Sequence, residues 1–188
     1  RLLERRDFPF YAELRALLAA LDARYDVVVG DCRPDVGLLT INALVAATGL
    51  VVPIPPAMID LASSGEFFRF VAEIAQDLRA DLAEGAMRYG FVRVLTTKLR
   101  PTDRNQAEIV RWQRALFREA ALEAAMLETA AMDAAGILKE TLYEHEPERN
   151  RPSFERGLAA MQAVNAALER EILKAWGRPV ADGRREAA

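Results

Sequence analysis

Apolar and polar residues follow two kinds of pattern along this chain, one helical and one typical of buried strands. Apolar side chains recur every three or four residues over residues 8–23, 60–83, 106–117 and 153–175, which predicts helices with one buried face. A further helix is predicted over residues 38–47, where Gly49 follows as a stop signal. Helices are therefore expected to make up most of the chain.

Three short apolar runs predict strands that are buried on both faces, because their apolar residues do not alternate with polar ones. They are residues 25–29 (YDVVV), 50–55 (LVVPIP) and 90–99 (GFVRVLTTKL), and a weaker strand is predicted over residues 125–127. Strands that alternate with helices indicate an α/β class, a three-layer fold with a mostly parallel sheet and helices on both faces. Ligands of such sheets bind beyond the carboxyl ends of the strands. The candidate loops are residues 31–37, 53–60, 96–105 and 130–139.

Composition narrows the class of protein. The 188 residues are 52% apolar, which is enough for one domain with a core, predicted over residues 1–178 with a flexible tail at 179–188. A net charge of −3 gives no overall attraction to nucleic acid, so any such binding requires a local basic patch. With a single cysteine, no apolar run of about 20 residues and no signal peptide, a soluble cytoplasmic protein is expected.

Asp31 is the first candidate for chemistry. It follows Val27, Val28, Val29 and Gly30, so its carboxylate is expected to emerge at the carboxyl end of a strand. A carboxylate in that position can hold Mg²⁺, directly or through a water, beside nucleotide phosphates. Aspartates also commonly cap or tether the turn that follows them. The spacing alone leaves both interpretations open.

A resemblance extends this picture. The segments DCRP (residues 31–34), GLLTINAL (37–44) and VPIPP (52–56) occur in an order that resembles the ParA/MinD-type P-loop ATPases, which partition plasmids and chromosomes. In that family a buried strand ends in D-x-x-P, a similar helix follows, and the next strand ends in V-P-x-x-P. Residues 126–144 and 153–178 look particularly like the RepA partition ATPases of RepABC-type plasmids. The similarity covers nearly the whole chain.

The resemblance implies a nucleoid-associated protein that binds ATP and Mg²⁺, forms a homodimer and binds DNA nonspecifically. A ParB-like partner protein would stimulate its ATP hydrolysis. The implied site residues are Asp31 as a ligand of Mg²⁺ or its water and Pro34 in the switch loop, Thr97, Lys98, Met132 and Asp133 around the nucleotide, and Arg111, Arg114, Arg118 and Lys139 on DNA.

Two departures from the family pattern limit these expectations. The phosphate-binding loop K-G-G-x-x-K-[ST] occurs nowhere in the sequence, and its backbone N–H groups and lysines would hold the phosphates. We therefore expect the carboxyl-terminal portion of such an ATPase, inactive by itself. The alternative is a non-catalytic fragment or degenerate homologue that acts as a DNA- or protein-binding module. Gly30 and Arg33 also depart from the usual residues of the D-x-x-P segment.

Overall fold

The protein is described by a computed structural model that covers residues 10–33, 37–78, 87–145 and 151–179. Its described residues fall into two compact units, one drawn from Arg1–Gly49 and Glu66–Tyr89 and the other from Leu50–Gly65 and Gly90–Ala188. The elements in chain order are a 3-10 helix Phe10–Ala12, α1 Glu13–Ala19, α2 Leu38–Ala46, β1 Leu50–Ile54, α3 Met58–Asp77, β2 Val92–Thr96, α4 Arg104–Phe117, a 3-10 helix Arg118–Ala120, α5 Ala130–Leu138 and α6 Arg151–Ala175.

The second unit contains the two strands, which pair in parallel from Leu50 opposite Val92 to Ile54 opposite Thr96. The Leu50 N–H donates to the Phe91 carbonyl, so the even-numbered residues of β1 make the hydrogen bonds to β2. Pro53 is odd-numbered, and its missing N–H therefore belongs to the other edge of β1. The predicted α/β class with parallel strands is confirmed.

The far edge of β2 is followed by the chain around residues 121–127. Isolated parallel bridges join Val94 to Ala121 and Leu99 to Leu127. The prediction of a strand over residues 125–127 is wrong, because one bridge at Leu127 does not make a ladder. The segment still satisfies the backbone of β2, since the Leu122 N–H donates to the Val94 carbonyl over 2.9 Å.

Helices α5 and α6 pack against each other in the second unit. Their core contains Ala131, Ala135 and Leu142, with the partly buried Phe154 and Leu158 beside it. The prediction of a loop over residues 130–139 is wrong, because this stretch forms α5. Gly157 on α6 lies close to the N-cap residue of α5, since a Cβ at Gly157 would lie 2.9 Å from Thr129 Oγ1.

The first unit has its own core, which joins helix α2 to the later part of α3. Ile41 and Val45 pack against Ile74 and Leu78. The predicted helix over residues 8–23 is shorter in the structure, where α1 ends at Ala19. The other predicted helices are confirmed with bounds that shift by a few residues in their described parts. No helix among the described residues is long and apolar enough to cross a membrane.

The valine-rich segment before Asp31 differs most from expectation. Residues 25–33 have no strand assignment, and Val27, Val28 and Val29 are 47%, 53% and 87% exposed. The prediction of a buried strand over residues 25–29 is therefore wrong for this structure. The physical reason is that a strand requires a neighbour for its backbone N–H and C=O groups, and no described residue pairs with this segment.

Candidate functional site

A cavity of about 220 Å³ opens at the carboxyl ends of β1 and β2. This is the edge of a parallel sheet where ligands are expected, and its walls come from the predicted loops 53–60 and 96–105 together with two residues beyond them. The lining residues are Pro55, Pro56, Ala57, Lys98, Arg100, Gln106 and Glu128. All of them belong to the second unit.

One wall of the cavity is apolar and stiff. Pro55 and Pro56 end β1 because they have no N–H for a ladder, and they fix φ at two consecutive positions. The Ala57 N–H then turns back to donate to the Pro55 carbonyl over 2.8 Å, and α3 begins at Met58. We call residues 55–57 the proline wall. Its apolar side chains suit contact with an apolar part of a ligand.

The opposite wall is charged and polar. Arg100 forms an ion pair with Glu128 over 3.1 Å, and its backbone N–H donates to Gln106 Oε1 over 2.7 Å. Gln106 is held in turn because Asp103 caps α4 and accepts from the Gln106 N–H. Within the described part of the chain, no carboxylate pairs with the Lys98 ammonium group, which leaves its charge available to an anionic ligand.

A buried glutamine lies behind both walls. Gln113 on α4 is 1% exposed, and its Nε2 donates to the carbonyl oxygens of Ile54 (3.4 Å) and Pro55 (3.3 Å). Its Oε1 accepts from the buried Thr96 hydroxyl over 3.0 Å. The side chain therefore joins the ends of β1 and β2 where the cavity begins.

The predicted nucleotide residues separate into two places. Lys98 lines the cavity, and the Thr97 N–H beside it donates to the Ile54 carbonyl over 3.3 Å. Met132 and Asp133 lie in the first turn of α5, where Thr129 Oγ1 accepts from the Met132 N–H, and neither lines the cavity. The structure thus brings Lys98 to the candidate site and leaves the roles of the other three as predictions.

Asp31 lies in the first unit, on the exposed extended segment. Pro34 falls outside the described residues. Among the residues that are described, no group of three or more histidine, cysteine and acidic side chains could hold a metal. Mg²⁺ at phosphates commonly takes only one or two protein carboxylates, with phosphate oxygens and waters as its other ligands. The donor chemistry of a single Asp31 fits that mode, and its role stays a prediction.

The predicted DNA-binding residues are exposed and lie in the second unit. Arg111 and Arg114 lie three residues apart on α4, so they share one side of the helix, and Arg118 follows at its C-cap with a positive φ of 47°. Arg111 pairs with Glu108, and Arg114 Nη2 donates to a backbone carbonyl. Lys139 ends α5 with a left-handed backbone, φ 59°. All four charges face solvent, and their function stays a prediction.

Sequence reasoning missed several residues of the site. Gln106 follows Asp103 in a D-x-x-Q pattern, a recognisable helix start, but its bond to Arg100 could not be deduced from it. Glu128 and Gln113 carry no local signal, because their roles depend on partners that are distant in the sequence.

Two kinds of sequence comparison give matches. A family model described as an AAA domain matches residues 4–84. The putative replication protein A of Rhizobium rhizogenes is 36% identical over 174 residues, which cover 92% of this chain and 43% of that protein. Protein SopA of Escherichia coli (strain K12) is 28% identical over 173 residues, covering 87% of this chain and 42% of that protein.

The fold also has a solved counterpart. A structure titled Partition Protein matches with a TM-score of 0.63 and 20% identity, covering 89% of this chain and 42% of that one. The predicted resemblance to ParA-type partition proteins is confirmed by these matches. The chain spans less than half the length of the relatives that it matches along most of its own length.

Proposed function

Since this chain is similar to a putative replication protein A, to protein SopA and to a solved partition protein, we propose that it forms part of an ATPase that segregates plasmids or chromosomes. The observation that carries the proposal is the cavity at the carboxyl ends of β1 and β2, with Lys98 on one side and the proline wall on the other. This is where an α/β fold of this kind binds a nucleotide.

We propose that the cavity receives part of ATP. The apolar side chains of the proline wall support contact with a nucleotide ring, and the Lys98 ammonium group supports attraction of the polyanion. Thr97 lies beside Lys98, and Met132 and Asp133 are proposed to flank the nucleotide from the start of α5. Arg100 is already neutralised by Glu128, so Lys98 is the cation that a phosphate or ribose oxygen would engage.

Asp31 is proposed to hold Mg²⁺ or its water, with Pro34 stiffening the adjoining switch loop. When bound, the metal would neutralise charge on the phosphates. The exposed carboxylate of Asp31 supports this role, because it is available to a ligand. Hydrolysis of the terminal phosphate would then reset the dimer and its hold on DNA, as in other nucleotide switches.

The partners of the intact protein are proposed to be nonspecific DNA on the nucleoid, a second copy of the chain and a ParB-like protein that stimulates hydrolysis. The basic side of α4 with Arg111, Arg114 and Arg118, together with Lys139, is the proposed DNA surface. Phosphate contacts by these side chains would make the affinity fall as salt is added.

A second candidate function is favoured by one specific observation. The sequence contains no K-G-G-x-x-K-[ST] segment, so its own residues supply no phosphate-binding loop. By itself the chain is therefore proposed to be inactive in hydrolysis. In this alternative it acts as a DNA- or protein-binding module that keeps the basic surface of α4.

The matched pair Lys98 and Lys139 tests the first proposal. Both are exposed lysines with a left-handed backbone, φ 51° and 59°, so an alanine substitution has a similar backbone cost at each. Lys98→Ala is expected to weaken binding of ATP–Mg²⁺ about tenfold, the size of a lost charge-assisted contact, and to leave DNA binding unchanged. Lys139→Ala is expected to do the reverse and to lower the salt slope of DNA affinity by about one.

Both variants are measured by calorimetry with ATP–Mg²⁺ and by fluorescence anisotropy with duplex DNA at several salt concentrations. The 188-residue chain and a version extended upstream along its own gene are compared. Equal loss of ATP affinity in the two variants would overturn the role of Lys98. Tight ATP binding and hydrolysis by the 188-residue chain would overturn the proposal that it is inactive alone.

A further inference from the structure

Gln113 is the most deeply buried polar side chain among the described residues. Burying a glutamine amide is unfavourable unless its donors and acceptor all find partners, and here they do. The two Nε2 donors face the Ile54 and Pro55 carbonyls, and Oε1 faces the Thr96 hydroxyl. The amide orientation follows from this set, because two carbonyl oxygens require donors.

One partner of Gln113 lines the cavity, and the other two are buried residues at the strand ends next to its lining. Pro55 belongs to the proline wall, Ile54 is the last residue of β1, and Thr96 precedes Lys98 by two residues. A single side chain on α4 therefore connects the loop that carries the apolar wall to the loop that carries the cation. Moving either loop would break at least one of its hydrogen bonds.

The two backbone carbonyl groups that accept hydrogen bonds from Gln113 each have a second hydrogen-bond donor. The Ile54 carbonyl also accepts from the Thr97 N–H over 3.3 Å, and the Pro55 carbonyl also accepts from the Ala57 N–H over 2.8 Å. Replacing the amide would therefore leave neither carbonyl unpaired. The Gln113 amide therefore holds the two loops at a fixed separation, and it is not required to supply the carbonyls with a hydrogen-bond donor.

We propose that Gln113 is a positioning residue of the candidate nucleotide site, which sets the proline wall and Lys98 in the arrangement that ligand binding requires. This inference rests on the proposed function for the identity of the ligand. The hold on the loops is a separate property of the ligand-free protein, which can be measured without nucleotide.

The experiment compares Gln113→Met, Thr96→Val and the double variant with the unchanged chain. Methionine keeps the length of the side chain and removes its hydrogen bonds, and valine keeps the shape of threonine. Gln113→Met leaves the Thr96 hydroxyl without its acceptor and is expected to lower Tm. The double variant removes both partners and is expected to recover most of that loss, because paired apolar replacements are nearly neutral.

The rate of amide hydrogen exchange at Ala57 reports on the position of the loop, and it can change independently of the global stability of the protein. We expect exchange to be faster by about tenfold in Gln113→Met and to stay fast in the double variant, since local opening of a loop is separate from global unfolding. Thr96→Val keeps the Nε2 bonds to Ile54 and Pro55 and is expected to leave Ala57 nearly as protected as in the unchanged chain. Exchange at Gln106, whose N–H is held by Asp103, serves as the internal control and should not change.

Recovery of Ala57 protection together with Tm in the double variant would overturn the inference, because Gln113 would then be only structural. Unchanged exchange in Gln113→Met would overturn it as well. ATP–Mg²⁺ affinity, measured in the upstream-extended version, is expected to fall at least about fivefold in both variants that lack Gln113. If the unchanged extended chain binds no ATP, the proposed function is wrong, and the exchange comparison still decides whether Gln113 holds the loops.

Discussion

Two valine-rich segments of this chain have similar sequences and different structures. Residues 27–31 (VVVGD) lie exposed in the first unit and pair with no described strand, whereas β2 (VRVLT) lies in a parallel sheet of the second unit, with Val94 only 1% exposed. The first segment ends in Asp31, which is proposed to hold Mg²⁺, and Thr97, which is proposed to meet the nucleotide, follows the second. β-Branched residues thus favour a strand, but neighbours on its edges and faces decide whether it forms.

The neighbours of β2 can be named. β1 pairs along one edge, and the backbone of residues 121–127 donates to it along the other. Arg93 on β2 forms an ion pair with Glu171 on α6, so even its charged residue has a partner in the second unit. Among the described residues, no strand pairs with the segment that contains Val28.

The largest expected difference in the free energy of unfolding comes from replacing a valine with aspartate in each of the two segments. Val94→Asp places a carboxylate at a position that is only 1% exposed, and it should lower the free energy of unfolding by about 4 kcal/mol or more. Val28→Asp should change it by no more than about 0.5 kcal/mol, because that side chain is already half exposed. Urea unfolding of both variants measures the difference. Similar losses in the two would mean that Val28 is buried in solution.

Alanine substitutions at two glycines, one in each unit, are expected to show a smaller difference in stability between a packed and an open position. Gly157→Ala adds a methyl group 2.9 Å from Thr129 Oγ1 and 3.4 Å from Leu142 Cδ1, and the overpacking should cost about 1–3 kcal/mol. Gly30→Ala meets nothing within 4 Å and should be neutral or slightly stabilising. Thermal unfolding of both variants tests this. A neutral Gly157→Ala would show that α6 can move away from Thr129 at little cost.

The smallest expected effect is a change in how the stability of the first unit depends on alkaline pH. Burial raises the pKa of Tyr89 to about 12, and its hydroxyl donates to the Leu44 carbonyl over 2.9 Å. The folded protein holds this proton more tightly than the unfolded chain does, so the stabilisation is complete below about pH 10 and is lost as pH rises towards about 12. Tyr89→Phe should therefore flatten the alkaline loss of stability.

The control for the pH experiment is Tyr25→Phe, which changes a tyrosine that is 54% exposed. Chemical denaturation between about pH 9 and 12, followed by far-ultraviolet circular dichroism, measures the alkaline loss of stability in both variants. If both variants keep the full alkaline loss, the Tyr89 proton contributes nothing to it.

The elements that were predicted correctly have strong local signals. The long amphipathic runs gave α3, α4 and α6 in their described parts, and the prolines after Ile54 marked the end of β1. Helix α5 was missed because its sequence AAMDAAGIL has a small apolar stripe and lies where a loop was expected. Its high alanine content and the Thr129 cap were signals that favoured a helix.

The candidate site was predictable only in outline. The rule that ligands bind at the carboxyl ends of parallel strands located the loops, and the resemblance singled out Lys98, which lines the cavity. Gln113 was not predictable, because a glutamine in a helix is usually exposed, and its burial depends on strand ends 59 and 17 residues away in sequence. The strand before Asp31 was predicted wrongly because composition carries no information about its neighbours.

Pro53 in β1 has a consequence for how the protein behaves at high concentration. Its missing N–H lies on the edge of β1 that faces away from β2, where Val51 is partly exposed. An exposed sheet edge can recruit a strand from another molecule, and such stacking begins the growth of aggregates. A recruited strand would find one donor missing halfway along this edge, and this gap weakens such pairing.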